Sequence, residues 1–312
     1  RLMSMNFFDL HCDTITVCSS KNLELRRNDL HISLERLPAG SRWGQAFAIF
    51  VPDELRGEKA VEFFRENVRF FRAEMEKNAD RIVQASDYQE IMQAFDDGKF
   101  AAILTVEGGA ALGGQLEMLD ELRNCGVRML TLTWNGENEL GSGSDTRKGL
   151  TPFGIEAVRR MEELGILVDV SHLNDEGFAD LCKVATKPFI ATHSNSRTIC
   201  NHSRNLTDEQ FCAIRDRGGL VGLNYYRYFI KEDGISKDID DLLAHVRHFL
   251  SLGGEDILCC GSDFDGAEIP DYLNGLDRVE NFRQALLDSG ISPEITQKIL
   301  FENARRFFEK NL

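Results

Sequence analysis

A histidine and an aspartate stand two positions apart at the end of the first apolar run of the chain. The run 7–10 leads directly into His11-Cys12-Asp13. Side chains alternate faces along a β-strand, so His11 and Asp13 should point the same way and Cys12 the opposite way. An imidazole beside a carboxylate suits a borderline divalent metal such as zinc. Because so short a triplet recurs by chance, its meaning depends on the residues that end the other strands.

Four later apolar runs also end in residues that bind metals or transfer protons. The runs 101–106, 166–171, 189–192 and 257–262 end in Glu107, His172, His193 and Asp263, respectively. Each alone has a structural explanation: His172 could be a hydrogen-bonded core imidazole and Glu107 a helix cap. Three of the chain's seven histidines stand at such ends, however, and a common site explains the set better than separate structural roles.

The elements that must position these residues alternate along the chain. Apolar runs predict strands near 6–11, 44–51, 100–106, 127–133, 165–171, 188–193, 218–225 and 257–262. Helical periodicity predicts helices over 58–78, 87–97, 115–124, 153–163, 175–185, 207–216, 238–251, 278–288 and 293–310. Eight such units favour a (β/α)8 TIM barrel, in which the carboxyl ends of the strands face one mouth. An open doubly wound sheet is the competing fold, but its usual phosphate-binding glycine loops are missing from the sequence.

Bulk composition limits the class of protein. The 312 residues are 42% hydrophobic and 28% charged, and we expect one domain over 1–312. The net charge of -15 argues against nucleic acid and anionic membranes as partners. No apolar stretch is long enough for a transmembrane helix. Residues 1–5 are too few to form a signal peptide before the first strand, and removal of an earlier leader is left open.

The cysteines and the remaining histidines have ordinary structural explanations. The eight cysteines form no C-x-x-C pair, which favours buried thiols, a reducing compartment and a cytoplasmic protein. His245 and His248 are spaced three residues apart on a predicted outer helix, where a solvated face is expected. His31 and His202 fall in loops and receive no role.

The number of candidate ligands favours two metal ions over one. A structural zinc site would be closed by four ligands, commonly including cysteine, and this set contains none. Two ions about 3.5–4 Å apart need a bridging carboxylate with ligands on both sides. Glu107 suits the bridge, with His11 and Asp13 on one ion and His172 and His193 on the other. A hydroxide shared by the ions would be a strong nucleophile, and both ions could polarise a carbonyl.

The order of these residues resembles the motif series of the renal (membrane) dipeptidase family. The similarity runs from about residue 6 to 308 and its combined motifs are specific. The matching segments are His11-x-Asp13, 105–109 (TVEGG), 130–133 (LTLT), 149–154 (GLTPFG), 169–172 (DVSH), 192–194 (THS), 203–206 (SRNL) and 261–266 (GSDFDG).

This resemblance implies a binuclear zinc dipeptidase on a TIM barrel. The implied metal residues are His11, Asp13, Glu107, His172 and His193, with Glu107 as the bridge. Arg204 would bind the substrate's terminal carboxylate, for which a planar guanidinium is suited, although a surface salt bridge is the alternative. Asp263 would bind the free α-amine and take part in proton transfer.

One position departs from the family pattern. Mammalian members carry a histidine directly after the LTLT run, where it helps to hold the substrate, whereas this chain has Trp134 followed by Asn135. An indole offers one N–H donor and no acceptor, so it cannot replace an imidazole fully. Either Trp134, Asn135 or another donor stabilises the oxyanion, or the substrate differs.

The leading hypothesis is a zinc-dependent dipeptidase whose two divalent ions supply a bridging hydroxide. A related amidohydrolase acting on N-acyl amino acids, lactams or other cyclic amides is the first alternative. A catalytically silent barrel that binds peptides or metal is the second. The sequence leaves open the side-chain preference, the choice among zinc, manganese and cobalt, and whether the chain forms a homodimer.

Overall fold

A parallel β-sheet forms the centre of the computed structural model, which describes residues 4–312; the first three residues, within the segment where no signal peptide is expected, lie outside the described residues. Its strands are β1 (Asn6–Asp9), β2 (Arg42–Phe50), β3 (Ile82–Gln84), β4 (Phe100–Glu107), β5 (Met129–Thr131), β6 (Leu167–Asp169), β7 (Val221–Leu223) and β8 (Leu258–Cys260). The neighbour order is β6-β5-β4-β2-β1-β8-β7, and β3 pairs with β4 beside this path. Every strand pair is parallel, as expected when helices connect successive strands.

The strand predictions were confirmed at seven of the eight runs and need two corrections. The run predicted at 188–193 forms only isolated bridges, Ile190 with Asp169 and Ala191 with Val221. The short strand β3 was missed, because three residues give no readable alternation and Val83 is exposed.

Helices follow the strands and cover the outer face of the sheet. They are α1 (Thr14–Lys21), α2 (Glu58–Lys77), α3 (Tyr88–Asp96), α4 (Met118–Asn124), α5 (Pro152–Leu164), α6 (Asp175–Val184), α7 (Asp208–Asp216), α8 (Arg227–Ile230), α9 (Asp240–Ser251), α10 (Val279–Asp288), α11 (Pro293–Gln297) and α12 (Asn303–Asn311). The nine predicted helices are present, with the last divided into α11 and α12 by a π-helical segment at Lys298–Glu302. The helices α1 and α8 were not predicted, since both are short and α1 is rich in β-branched residues.

Apolar side chains on both faces of the sheet are buried. Along β4, Ala101 and Ile103 join an inner cluster with Phe8 and Met129, whereas alternate residues join the larger cluster beneath the helices. Phe8 stacks on Phe301 with ring centroids 5.0 Å apart. A sheet packed on both faces holds its strand ends in fixed positions, and the candidate residues stand at those ends.

One histidine prediction was wrong. His245 is fully buried on α9 instead of lying on a solvated face. Its Nδ1 accepts a hydrogen bond from the Ser196 amide at 3.1 Å, and its Nε2 lies 2.9 Å from the Ile230 carbonyl. The imidazole therefore connects the loop at Ser196 and the end of α8 to α9. His248 is partly exposed and pairs with Asp208 at 2.8 Å, close to expectation.

All eight cysteines are free, in agreement with the absence of a disulfide framework in the sequence. Within residues 4–312, no helix combines the length and apolar character needed to cross a membrane.

Candidate active site

Six side chains from five places in the sheet meet in one buried cluster. His11 and Asp13 follow β1, and Glu107 is the last residue of β4. His172 follows β6, His193 follows the bridged residues 190–191, and Asp263 follows β8. All six are less than one-tenth exposed. We call this set the carboxylate–histidine cluster; its members are His11, Asp13, Glu107, His172, His193 and Asp263.

Glu107 is at the centre of the cluster. Its Oε2 lies 3.1 Å from Nε2 of His172 and 3.1 Å from Nε2 of His193. The same oxygen lies 3.5 Å from Nε2 of His11. One carboxylate oxygen is therefore within 3.5 Å of three imidazoles from different strand ends, which is the juxtaposition that a bridging ligand needs.

His11 connects Glu107 to the two aspartates. Its Nε2 lies 3.2 Å from Oδ2 of Asp13 and 3.6 Å from Oδ1 of Asp263. The predicted alternation is confirmed, because the Cys12 thiol points away and donates to the Ala46 carbonyl at 3.5 Å. The ligand atoms form two groups, His11–Glu107–His193 and His11–Asp13–Asp263, in each of which the atoms lie within 4.8 Å of one another and could hold an ion; His11 belongs to both.

Two residues of the cluster have an unusual backbone conformation. His172 and Asp263 have φ angles of 72° and 64°, in the left-handed region that non-glycine residues seldom adopt. Asp265 shares this conformation, with φ of 64°. Such strain concentrates at functional sites, where the surrounding structure enforces it. Sequence patterns do not reveal these angles.

Neighbouring polar groups fix the orientation of two imidazoles. Nδ1 of His172 lies 2.9 Å from Oδ1 of Asn135, and Nδ1 of His193 lies 2.7 Å from Oγ1 of Thr192. With their Nδ1 atoms engaged, both rings present Nε2 to Glu107. Metal-binding histidines are commonly held in this way, with the outer nitrogen bonded and the inner one free for the ion.

Charge and burial shift the pKa values of the cluster in opposite directions. Burial raises the pKa of Glu107 well above its ordinary value and that of Asp263 to about 6. For His11, burial opposes the charged form, but Glu107 and Asp13 outweigh it and raise the pKa well above normal. Burial lowers the pKa values of His172 and His193 well below normal, which favours the neutral form of both imidazoles.

The residues present fit divalent metal ions. Oε2 of Glu107 and Oδ1 of Asp13 are buried and accept no hydrogen bond from the described residues. A buried, unpaired carboxylate oxygen is costly unless a cation compensates it. Neutral imidazoles beside carboxylates form a donor set that zinc accepts. The cluster therefore has the composition, burial and unpaired oxygens of a metal centre.

Arg204 is buried close to this cluster. Its Nη2 donates to the His193 carbonyl at 2.8 Å and its Nη1 to Oγ of Ser194 at 3.0 Å. The guanidinium carbon lies 5.2 Å from the ring centroid of Phe229. Its Nε is buried without a partner among the described residues. Arg204 is thus not a surface salt bridge, which was the alternative interpretation.

A cavity of about 800 Å³ opens above the cluster. Glu107, Asp13, His172 and Asp263 form part of its lining, together with Trp134 and Asn135. The Trp134 ring lies 6.3 Å from that of His172. Asn135, which also lines the cavity, uses its side-chain oxygen to hold His172. The positioning of His172 by Asn135 could not be foreseen from the sequence.

Two further polar residues that support the site, Asn224 and Asp265, are not among the site residues predicted from the sequence. Asn224 donates to Oδ2 of Asp263 at 3.2 Å. Asp265 accepts from the Thr14 hydroxyl at 2.6 Å and the His31 amide at 2.7 Å, so it joins two loops and does not enter the cluster. Its place in the GSDFDG segment is the only sequence signal for this role.

Comparisons with known proteins agree with this geometry. The family model described as membrane dipeptidase (peptidase family M19) matches residues 2–311. A Claviceps purpurea protein named dipeptidase tcpJ is 28% identical over 293 residues, covering 88% of this chain and 68% of its own length. An uncharacterized Klebsiella pneumoniae protein from the pqqA 5' region is 34% identical over 238 residues, which cover 72% of this chain and 88% of that protein.

Solved structures show the same similarity. A Rhodobacter sphaeroides metallopeptidase, bound to a phosphinate mimic of the dipeptide L-Ala-D-Ala, superposes with a TM-score of 0.94 at 27% identity, covering 99% of this chain and all of that one. A family M19 metallopeptidase, dipeptidase AC, has a TM-score of 0.94 at 29% identity, with 99% of each chain covered. The chain belongs to the membrane dipeptidase family, peptidase family M19.

Proposed function

We propose that this protein is a zinc-dependent dipeptidase, in which the carboxylate–histidine cluster holds two metal ions. The observation that carries the proposal is the central position of Glu107, whose Oε2 lies within 3.5 Å of Nε2 of His11, His172 and His193. A carboxylate surrounded by imidazoles can bridge two ions. Membership of family M19 and the dipeptide mimic bound by the Rhodobacter sphaeroides relative support the same conclusion.

The ligands divide into two sets around Glu107. His11 and Asp13 would hold one ion, and His172 and His193 would hold the other. Asp263 lies close to His11 and Asp13 and would add a third carboxylate near that ion, while His11 also lies close to His193 and Glu107, between the two proposed ligand sets. When bound, the ions would supply Lewis acidity, which polarises the peptide carbonyl and activates water near neutral pH.

The residues of the chain would anchor the substrate and move its protons. Oδ2 of Asp263 accepts from Asn224, while Oδ1 faces the cluster, so this carboxylate is held in place beside the reacting centre. Oδ1 of Asp263 lies 3.6 Å from Nε2 of His11, so the carboxylate is close enough to the cluster to exchange a proton with a group reacting there. We assign to Asp263 both the binding of the α-amine and the transfer of a proton to the leaving nitrogen.

Selection for dipeptides would follow from two anchors at a fixed separation. Arg204 is buried and is not part of the cavity lining, but its positive charge and unpaired Nε–H would favour a terminal carboxylate bound beside it. Asp263 offers a negative charge to a terminal amine. A longer peptide would leave one of these buried charges unpaired, which is expensive.

The two alternative functions fit these residues less well. An N-acyl amino acid or a lactam without a free amine would leave Asp263 with no cationic partner. A barrel that only bound peptides or metal, without catalysis, would not need metal-binding residues from all five strand ends to meet in one cluster. Comparing turnover of dipeptides, N-acyl amino acids and a carbapenem separates the two enzymes, and hydrolysis of any of them rejects the silent protein.

The proposal also concerns the closure of the fold and the cellular compartment of the protein. The pairs Asp169–Ile190 and Ala191–Val221 support closure of the sheet into a (β/α)8 TIM barrel within one domain over 1–312. The eight free cysteines support a reducing compartment, for which we propose the cytoplasm.

A dipeptide library screened on protein of measured metal content tests the proposed function. We expect hydrolysis by the zinc-loaded protein, and tripeptides should be cleaved much more slowly. Glu107→Ala should abolish turnover and lower the zinc bound per chain. Glu117→Ala, an exposed glutamate distant from the cavity lining, is the matched control and should behave as wild type. Unchanged turnover of Glu107→Ala, or no dipeptide hydrolysis by fully loaded wild type, would reject the proposal.

A further inference from the structure

The cavity above the cluster has an aromatic wall on one side. Trp134 and Phe50 pack edge to face, with ring centroids 4.8 Å apart, and both are only half-buried. Phe63 and Pro52 also line the cavity. We propose that this wall selects dipeptides that carry a bulky apolar side chain, an inference that rests on the proposed dipeptidase function. We call Phe50, Pro52, Phe63 and Trp134 the aromatic wall.

The wall lies close enough to the cluster to contact a bound dipeptide. The Trp134 ring is 6.3 Å from the His172 ring, and Nε2 of His172 is 3.1 Å from Oε2 of Glu107. A peptide bond placed over Glu107 would therefore have its flanking side chains within reach of Trp134. An indole offers a large apolar surface and loses little conformational entropy on binding.

The size of the cavity also favours a large side chain. Its volume of about 800 Å³ is within the range of pockets that enclose drug-sized molecules. Two alanine side chains would leave much of the aromatic wall exposed to water. A leucine or phenylalanine side chain would cover this surface and gain the transfer free energy of its additional carbons.

The charges around the cavity disfavour acidic side chains. Its lining includes Asp265 and Glu268 in addition to the carboxylates of the cluster, but no lysine or arginine from residues 4–312. Glu268 is paired with Arg227 at 2.6 Å, whereas Asp265 is held by backbone amides and the Thr14 hydroxyl. A substrate aspartate would find no cationic partner near the aromatic wall and would be repelled by these groups.

Paired dipeptide series test the inference on the zinc-loaded protein. We expect kcat/KM for Leu-Ala or Ala-Leu to exceed that for Ala-Ala by at least about 10-fold, and Asp-Ala to be poorest. Trp134→Ala should lower kcat/KM for the preferred bulky dipeptide about 10-fold and that for Ala-Ala by much less. Phe70→Ala, a half-buried aromatic residue outside the cavity lining, is the matched control and should leave the ratio unchanged. If Trp134→Ala fails to fold, Phe50→Leu provides the same comparison.

Binding of non-hydrolysable analogues separates this inference from the proposed function. Phosphinate mimics of Ala-Ala and of Leu-Ala are titrated calorimetrically into wild type and Trp134→Ala. Tighter binding of the bulky mimic by wild type, lost in the variant, supports the inference even if no dipeptide is hydrolysed. Equal or absent binding of both mimics, or an equal loss for both in the variant, would overturn it.

Discussion

The hydroxyl oxygen of Thr192 lies 2.7 Å from Nδ1 of His193. The same hydroxyl donates to Oδ2 of Asp169 at 2.5 Å, so its oxygen is left to accept the Nδ1–H of the imidazole. Nε2 of His193 is then unprotonated and faces Oε2 of Glu107 at 3.1 Å. Asp169 is fixed in turn by the Thr131 hydroxyl at 2.6 Å and the amides of Ser171 and Thr192. This chain of hydrogen bonds sets the tautomer that a metal ligand requires.

Replacing the Thr192 hydroxyl should therefore weaken metal binding. Thr192→Val keeps the shape of the side chain but removes the acceptor for Nδ1–H, so zinc affinity should fall about 10- to 100-fold. Thr192→Ser keeps the hydroxyl and should bind zinc nearly as wild type. Competition with a chromophoric chelator measures both dissociation constants. Equal affinity of Thr192→Val and wild type would show that the hydroxyl does not orient His193.

Gly266 should be intolerant of a side chain because of the cluster. A Cβ atom at this position would lie 1.8 Å from Oδ2 of Asp13 and 2.7 Å from Oδ1 of Asp263. Gly266→Ala must displace the Asp13 carboxylate, so we expect fewer zinc ions per chain and at least a tenfold loss of activity. Asn274→Ala, at an exposed position outside the cavity lining, should change neither. Circular dichroism checks that the variant folds, and full metal content in Gly266→Ala would contradict the prediction.

Much of the carboxylate–histidine cluster could be predicted from sequence, because its residues follow recognisable strands. His11, Glu107 and His193 each end an apolar run, and parallel strands bring such ends to one edge. Asn135 shows the limit of this reasoning. Its contact with His172 depends on the path of the loop after β5, which no periodicity specifies. The left-handed backbone conformations of His172 and Asp263 could not be predicted from the sequence either.

The errors in the fold have a similar physical origin. The periodicity of a sequence indicates whether one face of a helix or strand is apolar. It does not indicate which other part of the chain packs against that face. The sequence around His245 was consistent with an outer helix, yet the loops near Ser196 and Ile230 fold over that face and bury the imidazole. The run at 188–193 was predicted as a strand and its residues 189–193 are buried, but only residues 190 and 191 form bridges.

His245 should make stability depend on pH. Burial lowers its pKa from 6.5 to about 4, so between these values the unfolded chain binds a proton that the folded chain does not. Stability should therefore fall as the pH falls from 6.5 towards 4, by up to about 3 kcal/mol from this residue. His245→Gln removes the titrating group, so urea unfolding at pH 7 and pH 5 should show a smaller difference than in wild type. An identical pH dependence in both proteins would contradict the assignment.

Zinc should stabilise the folded chain through Glu107, independently of turnover. An ion that binds only the folded state at a free concentration 100 times its Kd adds about 2.7 kcal/mol. For a domain of this size, such a gain should raise Tm by roughly 4 °C. Glu107→Ala removes the carboxylate at the centre of the cluster and should abolish most of the shift, while Glu117→Ala should retain it. Differential scanning calorimetry with and without zinc makes the comparison, and a full shift in Glu107→Ala would place the metal elsewhere.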